Sequence, residues 1–241
     1  MKKSIVVFII LFITTSGYAD DIGITTGQVV QDEFKNFVNE FGVALSFNPM
    51  APAEPLGITG FDISAEVVVT DISENKGYWT KMIDSNDPQS YIPVPRLHLI
   101  KGLPLNIDIG AFYTAIPGYN VRLWGLEAKY AILEGSVATP ALSVRGSYSQ
   151  LDGVDDIDLN TQTIDLTVSK GFLIFTPYGG VSAVWVNGSE NSALVNLKDV
   201  NETLFRGLVG VQVSPFPLFV INAEASFGEV VQYGLKLAIR F

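Results

Sequence analysis

The sequence predicts an all-β fold: a transmembrane antiparallel up-and-down β-barrel of about ten to twelve strands, with a short N-terminal amphipathic helix. Three observations carry this. Apolar residues recur at every second position over most of the chain, with small, polar or charged residues between them, the period of a strand with one greasy face. Long polar connections near 73–90, 151–158 and 187–202 alternate with short turns at 101–104, 134–138, 170–171 and 214–217. Barrels with long loops on one side of a membrane and tight turns on the other have this asymmetry. The chain closes on the alternating segment Val231 to Phe241, which has the length of a membrane-spanning strand, about 9–11 residues.

Composition narrows the function. The 241 residues are 48% hydrophobic and include no Cys and one His. Thiol nucleophiles, thiolate metal sites and disulfides are thereby excluded. Fifteen bases against 25 acids give a net charge of −10, so no nucleic-acid partner is expected, since phosphate binding needs a basic footprint. Lys2 and Lys3, the apolar run Ile5 to Ile13 and the small residues Gly17 and Ala19 read as a secretory signal cleaved before Asp20. The expected divisions are a signal peptide over 1–19, a helical segment over 20–41 and a barrel over 42–241. No later stretch is long and apolar enough for a transmembrane helix.

The helix is read from Thr25 to Phe41. Val30, Phe34, Phe37, Val38 and Phe41 form one stripe at helical spacing, and Thr25 or Thr26 is placed to cap its start. It would serve as a plug, a periplasmic lid, or a helix packed on the barrel rim. From Gly42 the period becomes two. Val43 to Asn48 is a short candidate strand, and the Pro-rich stretch Pro49 to Pro55 cannot be a central strand, because Pro lacks the ladder donor. Phe61 to Thr70 alternates cleanly, and Tyr78 to Ile83 is a short helical or strand piece. Val94 to Ile100, Leu105 to Tyr113, Tyr119 to Leu133, Ala141 to Gln150, the stretch around Ile164 to Val168, Phe172 to Val186, Phe205 to Val213 and Phe219 to Ala225 follow as strands. Within Tyr119 to Leu133 the phase slips, and a bulge at Trp124-Gly125 would reconcile its halves. Ten strands count back to Ile58, and adding Val43 to Asn48 makes an odd eleven, against the even-number rule. Tyr113, Tyr119, Tyr148, Trp185 and Tyr233 sit near strand ends, as aromatic girdles do.

In the closing strand Tyr233, Leu235, Leu237, Ile239 and Phe241 share the apolar face. This segment resembles the closing strand of Gram-negative outer-membrane β-barrel proteins. The resemblance implies that these five residues act as an insertion signal for the barrel-assembly machinery, with outer-membrane lipid and lipopolysaccharide as surroundings. The stretches Pro93 to Leu99, Lys101 to Pro104 and Leu151 to Asp156 also look like a group of bacterial outer-membrane barrels, a resemblance that implies no particular activity.

The faces opposite the apolar ones carry Asp62, Glu66, Asp108, Glu127, Asp165 and Glu224 against Arg96, His98, Arg122, Lys129, Arg145, Arg206, Lys236 and Arg240. In a narrow barrel these would form a charge-paired lumen network. The expected function is non-enzymatic, a narrow pore for a small solute or a plugged structural barrel. One alternative is uptake of small hydrophobic molecules, with the helix as a hatch and lateral exit through the wall. Another is a lipid-modifying enzyme using His98, the only easy general base near neutral pH, though the nucleophile pattern of outer-membrane lipid hydrolases is absent. The acidic residues Asp152, Asp155, Asp156 and Asp158 could bind Ca²⁺ through oxygen ligands but lack EF-hand spacing; a solvated loop tip is the expected reading, and neither metal nor cofactor is expected.

Overall fold

A computed structural model describes residues 23–24, 26–73, 76–82, 90–115 and 121–241. The expected signal segment, Thr25 and Tyr119 lie outside the described residues. Helix α1 (Gln31–Leu45) comes first, and a short helix α2 (Gly77–Met82) lies between the first two strands. The strands are β1 (Phe61–Asp71), β2 (Tyr91–Leu103), β3 (Ile107–Ala115), β4 (Arg122–Leu133), β5 (Ala141–Asp152), β6 (Ile157–Ser169), β7 (Phe175–Glu190), β8 (Val200–Phe216), β9 (Phe219–Phe227) and β10 (Val231–Arg240). Each pairs antiparallel with its sequence neighbours, and β10 returns to β1 to close the barrel. The closing seam runs unbroken from Asp62 opposite Arg240 to Asp71 opposite Val231. Closure leaves no unpaired edge, which only a helix or a sealed barrel achieves in lipid.

The connections sort to two ends. The connections after β2, β4, β6 and β8 make one end, together with the start of β1 and the C-terminus; the ends of β1, β3, β5, β7 and β9 lie at the other. Two of the expected long loops are shorter than the sequence implies. Strands β7 and β8 run past Asn187 and back from Val200, and β5 and β6 leave only 153–156 between them. The polar residues at these ends continue the ladder instead of leaving it.

The strand number is ten. Val43 to Asn48 is not a strand: α1 runs on to Leu45, and the first strand begins at Phe61, so 42–60 belongs with the N-terminal segment rather than the wall. The piece after Tyr78 is helical. Helix α1 starts at Gln31, not near Thr25; Thr26 Oγ1 accepts the Gln28 amide at 3.3 Å without capping the helix. Instead, the Glu33 carboxylate accepts the Val30 amide at 3.1 Å, one half of a capping box.

The phase of β4 also differs. Its register runs without interruption through Trp124 and Gly125 on both neighbours, and the irregularity lies at Ala131/Leu133. Leu123 therefore points inward and is buried, while Arg122 is exposed on the outer side. Elsewhere the outer face is the apolar one: Leu97, Leu99, Ile109, Leu126, Ile164, Leu166, Val209, Leu235 and Leu237 are all exposed.

The interior divides into two layers. Toward the long-loop end it is apolar: Phe34, Phe37, Val38 and Phe41 of α1 pack with Trp79 and Met82 of α2 and with Val94, Leu123, Leu151, Leu159, Val184 and Val186 of the wall. Toward the short-turn end it is polar and charged. Helix α1 lies inside the first layer, which is why Asn39 and Glu40, on its nominally polar side, are buried as well. Gly42 permits the closest approach, since a Cβ there would stand 2.2 Å from Val186 Cγ1.

Candidate functional site

The lumen is filled by the protein's own N-terminal segment. From Leu45 the chain leaves the helix and runs irregularly through 46–60 to the start of β1 at the short-turn end. Irregular backbone at this depth must find partners within the protein, and the wall supplies them. Ser149 Oγ donates to the Leu45 carbonyl (3.1 Å) and Arg96 Nη2 to that of Ser46 (2.8 Å). Arg145 Nη2 and Arg206 Nη2 both donate to the carbonyl of Phe47 (2.6 and 3.2 Å). Lys129 Nζ donates to those of Pro52 and Glu54 (3.3 and 2.9 Å). In the opposite sense, the Met50 amide donates to Glu224 Oε2 (2.9 Å), the Ala53 amide to Ser169 Oγ (2.9 Å) and the Leu56 amide to the Asp108 carboxylate (3.1 Å). Gln232 Nε2 reaches the Val43 carbonyl (3.0 Å) and its Oε1 accepts from Asn48 Nδ2 (3.1 Å). Arg96, Arg145 and Arg206 thus gather where the C-terminal end of α1 places its partial negative charge, although the last turn of α1 has no basic residue.

The same side chains pair with one another. Arg145 donates to Asp165 (2.8 Å from Nε) and to Glu127 (2.5 Å from Nη1), and Asp165 also accepts from Ser182 Oγ. Lys236 Nζ lies 3.1 Å from Asp62 and 3.6 Å from Glu66; Arg240 reaches Asp62 at 2.7 Å and Lys129 reaches Asp108 at 3.0 Å. The rings of Phe47 and Phe112 receive the guanidinium faces of Arg145 and Arg96 at 5.0 and 4.8 Å. Of the fourteen residues expected to line a lumen network, the structure brings together all but Arg122. That side chain stands on the outer face because β4 keeps its phase; it pairs in register with Asp152, whose carboxylate accepts the Trp124 indole at 3.0 Å.

Sequence reasoning missed Ser46, Asn48, Gln232, Ser149, Ser169 and Tyr178, whose hydroxyl donates to Glu224 at 3.1 Å. Uncharged residues on an inner face carry no contrast by which to pick them. A cavity of about 270 Å³ with a mixed polar and apolar lining remains at the short-turn end, bounded by Pro52, Leu56, Asp108, Lys129, Thr176 and Arg240 among others.

His98 is buried with Nδ1 2.8 Å from Glu66 Oε1 and Nε2 3.4 Å from Glu127 Oε1. Ser64, close by, directs its hydroxyl to Glu66 and to the His98 carbonyl, so the arrangement of nucleophile, base and orienter is not assembled here. Two of the acidic residues after β5 are engaged: Asp156 accepts the Ile24 amide at 3.0 Å and Asp158 the Asn191 side chain at 2.7 Å.

Within α1, Glu40 Oε2 accepts the Trp79 indole (2.8 Å) and the Ser73 amide (3.1 Å), and its Oε1 accepts the Tyr78 hydroxyl (2.8 Å). Burial, then the Glu40 carboxylate, pushes the Tyr78 phenol well up. Lys81 Nζ, 2.6 Å from Glu33, holds that carboxyl below its ordinary range. Helix α2 is thereby clamped onto α1. Replacing Glu40 with Ala strands three donors, each costing about 1–3 kcal/mol where it stays buried. The expected result is faster proteolytic cleavage between 73 and 90 with the barrel intact, read on a gel.

No protein-family model and no curated protein matches the sequence. Solved structures do share the architecture. An outer membrane channel from Pseudomonas putida F1 is 12% identical at a TM-score of 0.50, over 81% of this chain and all of that one. The KdgM porin is 10% identical (TM-score 0.39, 75% of this chain and 99% of that one). Ail, the attachment invasion locus protein of Yersinia pestis, is 13% identical (TM-score 0.36, 76% and 99%). At these identities the likeness concerns the fold alone. The chain resembles Gram-negative outer-membrane β-barrels and is a closed ten-strand barrel.

Proposed function

We propose that this protein is a non-enzymatic outer-membrane barrel held shut by its own N-terminal segment. The observation that carries the reading is the threading of 45–56 down the lumen, with carbonyls and amides satisfied by side chains from around the wall. The exposed apolar outer face supports lipid as its solvent, since such a surface in water would associate. Closing-strand residues Tyr233, Leu235, Leu237, Ile239 and Phe241 all lie on that face, open to the assembly machinery and later to lipid and lipopolysaccharide. With long loops outside and the short-turn end on the periplasmic side, the beginning of α1 faces the cell surface. Uptake of hydrophobic molecules fits less well: the helix is sealed among buried apolar side chains, and the lumen below it is salt-bridged. The test is conductance of the purified chain in planar bilayers. Near-silence is expected with the intact protein; steady, large, open conductance would overturn the closed-barrel reading.

A further inference from the structure

The short turns are not built like water-facing turns. Leu105, Leu173 and Leu218 occupy their tips in the left-handed backbone region, with φ of 64°, 52° and 70°, where Gly or Asn is the usual residue and a bulky one is costly. None gains burial: Leu105 is 80% exposed, Leu173 fully exposed and Leu218 more than half exposed. The fourth turn presents Val137, also fully exposed. It is held in shape by Lys170, whose Nζ donates to the carbonyls of Ser136, Val137 and Thr139 at 2.7, 2.7 and 3.2 Å. Every turn at this end therefore carries a rigidly presented apolar side chain.

These tips are continuous with the lipid-facing wall through exposed Phe172, Phe175, Phe216 and Phe241. The dimensions of the wall say what covers them. Toward the long-loop end the outer face carries Tyr233, Tyr113 beside Trp124, and Tyr148 and Trp185 flanking Gln162, the composition of an interfacial girdle. Phe241 lies eight residues beyond Tyr233. That is about 26 Å along a strand, or about 20 Å along the membrane normal at a tilt of about 40°. The apolar band of an outer-membrane barrel is about 25 Å tall. Along β10 the wall falls short of it, and the turns at this end supply the remainder.

We propose that the short-turn end is a lipid-binding surface: Leu105, Val137, Leu173 and Leu218 are immersed in the inner leaflet rather than standing in the periplasm. The proposal rests on the outer-membrane reading above. Because the chain has no Cys, single nitroxide labels can be placed at Leu105→Cys, Leu173→Cys and Leu218→Cys, at the wall position Leu166→Cys and at the loop position Asn196→Cys. Each variant is reconstituted in phosphatidylethanolamine/phosphatidylglycerol vesicles, checked for heat-modifiable migration, and measured for collision with oxygen and with a water-soluble nickel chelate. The expected result is oxygen-dominated relaxation at the three tips, as at the wall, with nickel-dominated relaxation at Asn196. Nickel-dominated tips beside an oxygen-dominated wall would overturn the proposal and leave the membrane reading standing. Tips shielded from both reagents, or shielded only at high protein density, would overturn it in favour of a protein partner or a second copy. A nickel-accessible wall would remove the membrane reading, and the proposal with it.

Discussion

Arg145→Ala is expected to destabilise the folded barrel by about 3–5 kcal/mol. The guanidinium bridges Asp165 and Glu127, donates to the Phe47 and Asn48 carbonyls and lies over the Phe47 ring. Removing it strands two carboxylates in a buried site and frees the plug at its midpoint. Breaking a buried pair from one side costs far more than the pair contributes on balance, because the surviving charge has no solvent to return to. Arg145→Lys restores one positive charge but not the planar fork that serves four acceptors, so it should recover only part of the loss. Arg122→Ala is the control. Exposed on the outer face, it should change stability by no more than about 0.5 kcal/mol. Urea titration of the heat-modifiable form on gels reads all three; equal effects at Arg145 and Arg122 would contradict the assigned network.

Excising 28–56 is expected to turn the silent barrel into a conducting one. Small eight-strand barrels are filled by their own side chains; this wall has ten strands and encloses a chain segment as well. Without that segment, the backbone partners of Arg96, Arg145, Arg206 and Lys129 disappear, and water takes their place. The exposed lining would hold Asp62, Glu66, Asp108, Glu127, Asp165 and Glu224 against Arg96, Lys129, Arg145, Arg206, Lys236 and Arg240. The signs balance, and charged rings set selectivity, so the open form should discriminate weakly between small anions and cations. The ten-strand ladder is continuous without α1 or the threaded segment, so a heat-modifiable barrel should still be recovered, less stable than the parent. A recovered barrel that stays silent would show that wall side chains alone close the lumen.

The architecture was legible because lipid imposes one rule on every strand: the outer face must be apolar. That rule writes period two into the sequence wherever the inner face is polar, as in β10, β9 and β6. It fails where the inner face is apolar too. In β4, Leu123 points inward to meet the helix layer while Leu126 points outward, so the contrast between faces vanishes and a continuous strand reads as a phase slip. Arg122 misleads for the same reason: a charge marks the lumen in mid-strand, but at a strand end the outer face also meets water. Apolar residues on both parities near the long-loop ends, such as Leu151, Ile157, Leu159, Val184 and Val186, are the trace that something apolar lies within. The course of 46–60 left less. Its prolines exclude a central strand, but its hydrogen-bond partners are spread over strands from β2 to β10, and nothing local encodes such contacts.

Crosslinking tests most directly whether the N-terminal segment lies inside the barrel in the membrane. The Ala53 amide and Ser169 Oγ are 2.9 Å apart, and the chain has no native Cys. The double variant Ala53→Cys/Ser169→Cys in intact outer membranes should join within one chain on mild oxidation or with a short bifunctional thiol reagent, and either single variant should not. Failure of the pair to join in a correctly folded barrel would contradict the threaded lumen.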